Sequence, residues 1–225
     1  MKKLLAVIIA AALLLSGCSL SSRPAVSAPP AETPSPSPTP IVTPTPAPEP
    51  SDDELVLVRD YIPGIFIDLK YATTDNFTGQ VIYDSDEAYL RYGTVKKLLA
   101  AQNELSGRGL SLKIWDAYRP VSAQFKLWEI CPNPVYVSDP NNGYSKHSRA
   151  NTVDITLVTS TGESIPMPSG FDDFTSLADR DYSDVSAEAA ENARLLENVM
   201  VENGFVPYSG EWWHYSDSVS YDVYE

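Results

Sequence analysis

The chain has 225 residues, with 30 Asp and Glu against 16 Lys and Arg and a formal net charge of -14 at pH 7. That balance argues against nucleic acid as a partner, because phosphates demand basic surface. With only two histidines and two cysteines in the chain, imidazole or thiol chemistry can sit in very few places.

Taken in order, Met1-Lys2-Lys3 and the apolar run 4–15 have the charged start and short hydrophobic stretch of a secretory signal, too short to span a membrane as a helix. The run ends in Leu15-Ser16-Gly17-Cys18, which resembles a bacterial lipobox. On that reading residues 1–18 are a lipoprotein signal peptide, and acyl chains on Cys18 tether the mature chain to the outer face of a membrane. An ordinary signal peptide with an incidental cysteine is the alternative. Residues 19–53 turn to Pro, Ser, Thr and Ala with repeated Thr-Pro and Ser-Pro pairs, a composition that cannot bury a core. They read as a disordered, semi-rigid spacer.

Residues 54–225 remain, 172 residues with 13 basic and 26 acidic side chains, enough for one domain with its own core. If Cys18 is acylated, Cys131 is left alone, either as a small buried hydrophobe or as a free thiol, and no internal disulfide forms. Residues 55–58 and 65–71 read as two short strands about a Pro63-Gly64 turn, and 75–79 as a loop. Between 87 and 105, Leu90, Val95, Leu98, Leu99 and Leu105 recur near helical spacing before Gly107 and Gly109 end the run. Residues 110–118 alternate as a strand that delivers Arg119, and Pro120 opens a helix over 121–130 that Cys131-Pro132 breaks.

A loop over 135–149 leads into a strand over 153–158, whose alternation puts Asp154 and Thr156 on one face and Val153, Ile155 and Leu157 on the other. Residues 162–182 read as a long lid or pocket wall anchored by Phe171 and Phe174. Ser186 caps a helix ending at Gly204, and 205–208 with 213–215 form a hairpin-like return. Strands and helices mix without regular alternation, so the expected fold is α+β, a central antiparallel sheet flanked by helices.

Both histidines fall in Ser145-Lys146-His147 and Glu211-Trp212-Trp213-His214. Catalytic zinc takes three protein ligands and keeps a fourth position for water. His147, Asp154 and His214 supply such a set, and Glu211, if it shares one turn with His214, reaches the water instead of the ion. Hydrogen-bonded structural histidines are the alternative reading.

These two motifs resemble the paired zinc motifs of the D-Ala-D-Ala peptidases, whose fold is shared with lysostaphin-like enzymes and Hedgehog domains. Residues 67–73 with Asn76-Phe77-Thr78-Gly79, Trp115-Asp116-Ala117-Tyr118-Arg119-Pro120, and Glu211-Trp212-Trp213-His214-Tyr215 narrow the resemblance to D-alanyl-D-alanine dipeptidases of the VanX type. It implies one Zn2+ on His147, Asp154 and His214, with Glu211 as base and proton shuttle. Arg119 is implied as the group that steadies the transition state, and Ser145 as a contact to the free amine of a D,D-dipeptide. A salt-bridging Arg119 and a capping Ser145 are the alternatives. Ala150 and Thr152 depart from the family pattern, which has Gly and Ala there; a left-handed backbone at 150 would strain an alanine.

The expected activity is hydrolysis of D-Ala-D-Ala outside the cytoplasm, in wall turnover or scavenging. A D,D-carboxypeptidase trimming stem peptides and a non-catalytic zinc-stabilised wall-binding module are the alternatives. Tyr144, Trp212 and Trp213 read either as pocket walls or as core.

Overall fold

A computed structural model describes residues 48–225. The expected signal peptide with Cys18, and residues 19–47 of the expected spacer, lie outside the described residues. Contacts to the domain extend upstream of residue 54, because Glu49 accepts a hydrogen bond from the Tyr92 hydroxyl (2.5 Å) and the Asp52 carbonyl accepts one from Gly93 N (2.9 Å).

The chain runs β1 (Leu55–Leu57), α1 (Val58–Tyr61), β2 (Phe66–Ile67), β3 (Tyr89–Arg91), α2 (Tyr92–Ser106), β4 (Leu110–Asp116), α3 (Val121–Ile130), β5 (Thr152–Thr159), α4 (Ala187–Glu202), β6 (Phe205–Tyr208) and β7 (Glu211–Asp217). Five strands make the main sheet in the order β2-β4-β5-β7-β6, and β1 pairs with β3 in a separate ribbon. All main-sheet pairs are antiparallel except β2 with β4, which is parallel. The α+β class holds, then, with a mixed instead of purely antiparallel sheet.

Sequence periodicity located the long elements. Helix α2 buries Val95, Leu98, Ala101 and Leu105, one stripe at helical spacing. The buried Gln102 amide ties it to the sheet, accepting from Leu112 N (2.8 Å) and donating to the Ser111 hydroxyl (2.9 Å). Helix α4 begins at Ser186, whose hydroxyl accepts from Ala189 N (3.2 Å), and buries Ala193, Leu196, Val199 and Met200. Both helices join one core with Val153, Ile155 and Leu157 of β5 and Leu112 and Ile114 of β4. Residues 152–158 are buried along their whole length, so the polar face of β5 is covered as well.

Two local expectations are corrected. The runs on either side of Pro63-Gly64 do not pair, because one turn of helix intervenes and each finds a different partner; the second shortens to Phe66–Ile67 before a 3-10 turn at Lys70–Ala72. There the Asn76 amide organises the backbone, donating to the Thr73 (2.8 Å) and Gln80 (2.9 Å) carbonyls. Second, the helix expected from residue 87 starts at Tyr92, because Tyr89–Arg91 are drawn into the ladder with β1. Cys131 is half-buried against the core as a free thiol.

Candidate active site

Three neighbouring strands bring the site together. Asp154 on β5 stands opposite His214 on β7 and Asp116 on β4. A regular strand would send Glu211 and His214 to opposite faces. Here the β6–β7 register breaks between Pro207 and Tyr208, so that Tyr208 pairs with Glu211 across a bulge. The Glu211 Oε2 consequently lies 3.4 Å from His214 Nδ1. The expected proximity of these two side chains is real, but a bulged strand supplies it instead of a helical turn. Arg180 fixes the bulge, its guanidinium donating to the carbonyls of Tyr208 (2.7 Å), Glu211 (3.0 Å) and His214 (3.1 Å).

His147 arrives from outside the sheet, in a 3-10 turn over Lys146–Arg149. Its Nδ1 lies 2.8 Å from the Ala117 carbonyl. A carbonyl can only accept, so Nδ1 carries the proton and the Nε2 lone pair is left to face Asp154. Nε2 lies 3.3 Å from Asp154 Oδ2, and His214 Nδ1 lies 3.0 Å from Asp154 Oδ1. One ligand-type atom from each of His147, Asp154 and His214 lies within 4.8 Å of the other two. Ligands about 2.0–2.1 Å from a tetrahedral zinc stand roughly 3.3 Å apart, so the donor set and its spacing fit that ion.

The turn after His147 is left-handed at Ala150 (φ 57, ψ 28), the conformation that a glycine adopts most easily. Thr152 is accommodated by a hydrogen bond between its hydroxyl and that of Ser216 (3.0 Å). Ser145 is buried and accepts from His147 N (3.3 Å), so it caps the turn. It also lines a cleft of about 270 Å³, with Lys146, Glu211, His214, Tyr136 and Tyr208 among its other walls.

Burial and charge tune the group. Burial pushes Glu211 up to about 8, and the charges of Asp154 and Asp172 add to the rise. Burial alone would raise Asp154, but the two histidines outweigh it and hold the carboxyl well below its ordinary range. Burial lowers His214. For His147 burial is outweighed by Asp154 and Asp116, and the ring is raised.

Several participants carry no signal in the sequence taken alone. Asp116, fully buried, accepts from Arg119 Nη2 (2.6 Å) and Tyr83 Oη (2.6 Å), with its Oδ2 3.5 Å from His147 Nδ1. Arg119 is therefore a buried ion-pair partner; its Nη1 also donates to Gln124 Oε1 (2.9 Å), and its guanidinium lies over the Tyr71 ring. Asp172, left-handed at φ 53, accepts from the Tyr71 hydroxyl (2.7 Å), and burial pushes it up to about 7. The neighbouring Phe171 anchors this loop against Tyr71, Trp115 and Trp213. Trp212 and Trp213 are core, the former donating to the Ser169 hydroxyl (2.9 Å), while Tyr144 is exposed. Polar residues at strand ends gain such roles only from the pairing that surrounds them.

The D-ala-D-ala dipeptidase family model matches residues 51–222. The chain belongs to this family. Among relatives, the D-alanyl-D-alanine dipeptidase of Escherichia coli K12 is 39% identical over 162 residues, spanning 72% of this chain and 83% of that one. That of Enterococcus faecium is 35% identical over 174 residues, spanning 68% and 86%. That of Streptomyces coelicolor is 36% identical over 187 residues, spanning 72% and 91%. The family is one of zinc metallopeptidases, a hydrolase class. The match reaches into β7 and the tail beyond it, so both motifs that hold the histidines lie inside the family domain.

Proposed function

We propose that the chain hydrolyses D-alanyl-D-alanine to two D-alanines, using one zinc ion held by His147 Nε2, an Asp154 carboxylate oxygen and His214 Nδ1. The observation that carries this reading is the convergence of those three atoms beside Glu211, at the wall of a small cleft. The relatives' names give the substrate class. Zinc in such a site lowers the pKa of its water to about 7 and polarises the scissile carbonyl.

The protein's own groups do the rest. Glu211 Oε2, 3.4 Å from His214 Nδ1, acts as a carboxylate that takes a proton from the attacking water and then returns it to the leaving amine. Arg119 holds a fixed positive charge on Asp116 and Gln124. A guanidinium has five N–H donors, and these contacts leave one N–H on each Nη to steady the oxyanion that develops on the carbonyl. The Ser145 Oγ, at the wall of the cleft, offers a remaining lone pair to the substrate ammonium.

From the sequence we also infer that Cys18 is acylated and holds the enzyme on the outer face of a bacterial membrane, with residues 19–53 as spacer, for wall turnover or dipeptide scavenging. Cys18→Ser should move the protein from the membrane fraction to the soluble fraction, and an unchanged distribution rejects the anchor.

The activity is tested by incubating purified protein and zinc with D-Ala-D-Ala and measuring D-alanine. Glu211→Gln should lower kcat by about 10²–10⁴-fold with zinc still bound. Full activity in that variant, or cleavage of stem pentapeptides in preference to the dipeptide, would overturn the assignment.

A further inference from the structure

The turn that presents His147 is strained and has no ladder of its own, yet each carbonyl from His147 to Asn151 accepts from a donor elsewhere in the fold. The His147 carbonyl accepts from Arg119 N (3.2 Å), that of Ser148 from Tyr224 N (2.9 Å), and that of Arg149 from Arg91 Nε (3.1 Å). The Ala150 carbonyl accepts from Arg91 N (2.8 Å) and that of Asn151 from Asp217 N (2.7 Å). A left-handed alanine persists where surroundings over-determine it.

Much of that determination comes from the C-terminal tail, 218–225, which runs alongside residues 148–151. Besides the Tyr224 bond, the Asn151 amide donates to the Val219 carbonyl (2.9 Å) and Arg149 Nη1 to the Tyr221 carbonyl (2.8 Å). Arg91 Nη2 donates to the Asp222 carbonyl (2.9 Å), with the guanidinium over the Tyr221 and Tyr224 rings. The tail also reaches the second strand end, since the Tyr118 hydroxyl donates to the Tyr224 carbonyl (3.1 Å). Tyr118 lies between Ala117, which fixes the His147 ring, and Arg119. The seat is fitted: a Cβ on Gly93 would come within 2.5 Å of the Tyr221 hydroxyl.

We propose that the C-terminal tail is a positioning strap for the metal site, whose residues touch neither ion nor substrate but hold His147 where its Nε2 can ligate. The inference rests on the zinc-binding reading above. Groups that orient a metal ligand from behind typically contribute 10–100-fold to metal affinity. Removing Tyr224 and Glu225 should therefore weaken zinc binding about tenfold or more, measured by competition with a chelating dye, and should alter the d–d spectrum of the cobalt-substituted protein. Far-UV circular dichroism should stay unchanged.

Tyr224→Phe, which keeps the backbone N–H and the ring, should bind zinc like the parent. Arg149→Met, which removes the donor to Tyr221, is the second probe should the truncated chain fold poorly, and it should weaken zinc binding in the same direction. Parent-like zinc affinity and cobalt spectrum in a folded truncation or in Arg149→Met overturn the strap while leaving the metal site intact. A parent protein that fails to bind zinc at all overturns both.

Discussion

The two motifs that meet at the site are held by different kinds of backbone. Asp154 and His214 face each other within the β5–β7 ladder, with Glu211 brought alongside by a bulge that Arg180 fastens through three carbonyls. His147 sits on a turn without a ladder, whose left-handed residue is an alanine and whose carbonyls are served by Arg91, Arg119, Asp217 at the end of β7 and Tyr224 beyond it. Repetitive pairing places a side chain through many interchangeable bonds. An isolated turn places one through a few particular ones, and each of these matters more.

The largest effect is expected at the proposed ligands themselves. His147→Ala and His214→Ala should each abolish stoichiometric zinc binding and D-alanine release, because either change leaves two ligands where a catalytic zinc site needs three. Isothermal titration with zinc reads this directly, and retained tight binding in either variant would exclude that histidine from the set.

A smaller effect tests the fastening on the ladder side. Arg180→Ala strips three carbonyls of their donor and leaves Glu197 without the partner 2.9 Å away. It should cost about 2–4 kcal/mol in denaturant unfolding. The change should also lower kcat on D-Ala-D-Ala more than it weakens zinc binding, since Asp154 stays in its ladder while Glu211 loses its bulge. Equal losses in the two measurements would mean that the bulge does not position Glu211.

Next comes pH. Glu211 and Asp172 are raised by burial, to about 8 and about 7, from unfolded values near 4.5 and 3.8. A carboxyl whose folded pKa lies above its unfolded one binds more protons in the folded chain, so stability falls as pH rises between the two values. Metal-free protein should therefore melt lower at pH 8 than at pH 5. Zinc, which needs deprotonated ligands, should raise Tm more at pH 8 than at pH 5. Thermal scans at both pH values, with and without zinc, provide the check, and a metal-free Tm that climbs between them would show that other groups dominate. The smallest effect belongs to the turn: Ala150→Gly relieves the left-handed strain and should stabilise by up to about 1 kcal/mol, read from the denaturant midpoint.

How much of this was legible beforehand follows the same division. Helices α3 and α4, strand β5 and the β6–β7 return were located by hydrophobic spacing, by Pro120 and Ser186 at helix starts and by Gly204 at a helix end, all of which act over one or two turns of chain. The convergence of His147, Asp154 and His214 was legible because the chain has only two histidines and each sits in a recognisable motif. The parallel pairing of β2, the separation of β1 from it and the covered polar face of β5 depend on which strands meet, and no local pattern encodes that. Asp116, Asp172 and Arg180 stayed hidden for a similar reason: each acquires its role through partners brought close only by the fold, such as Tyr83 for Asp116 and Tyr71 for Asp172.

Arg91 grips both extremities of the described domain, donating from Nη1 to the Asp53 carbonyl (2.6 Å) and from Nη2 to that of Asp222. The same side chain braces the loop behind His147, its Nε donating to the Arg149 carbonyl (3.1 Å). A bulky fusion joined directly at either extremity would therefore pull on the one side chain that also holds the backbone behind His147.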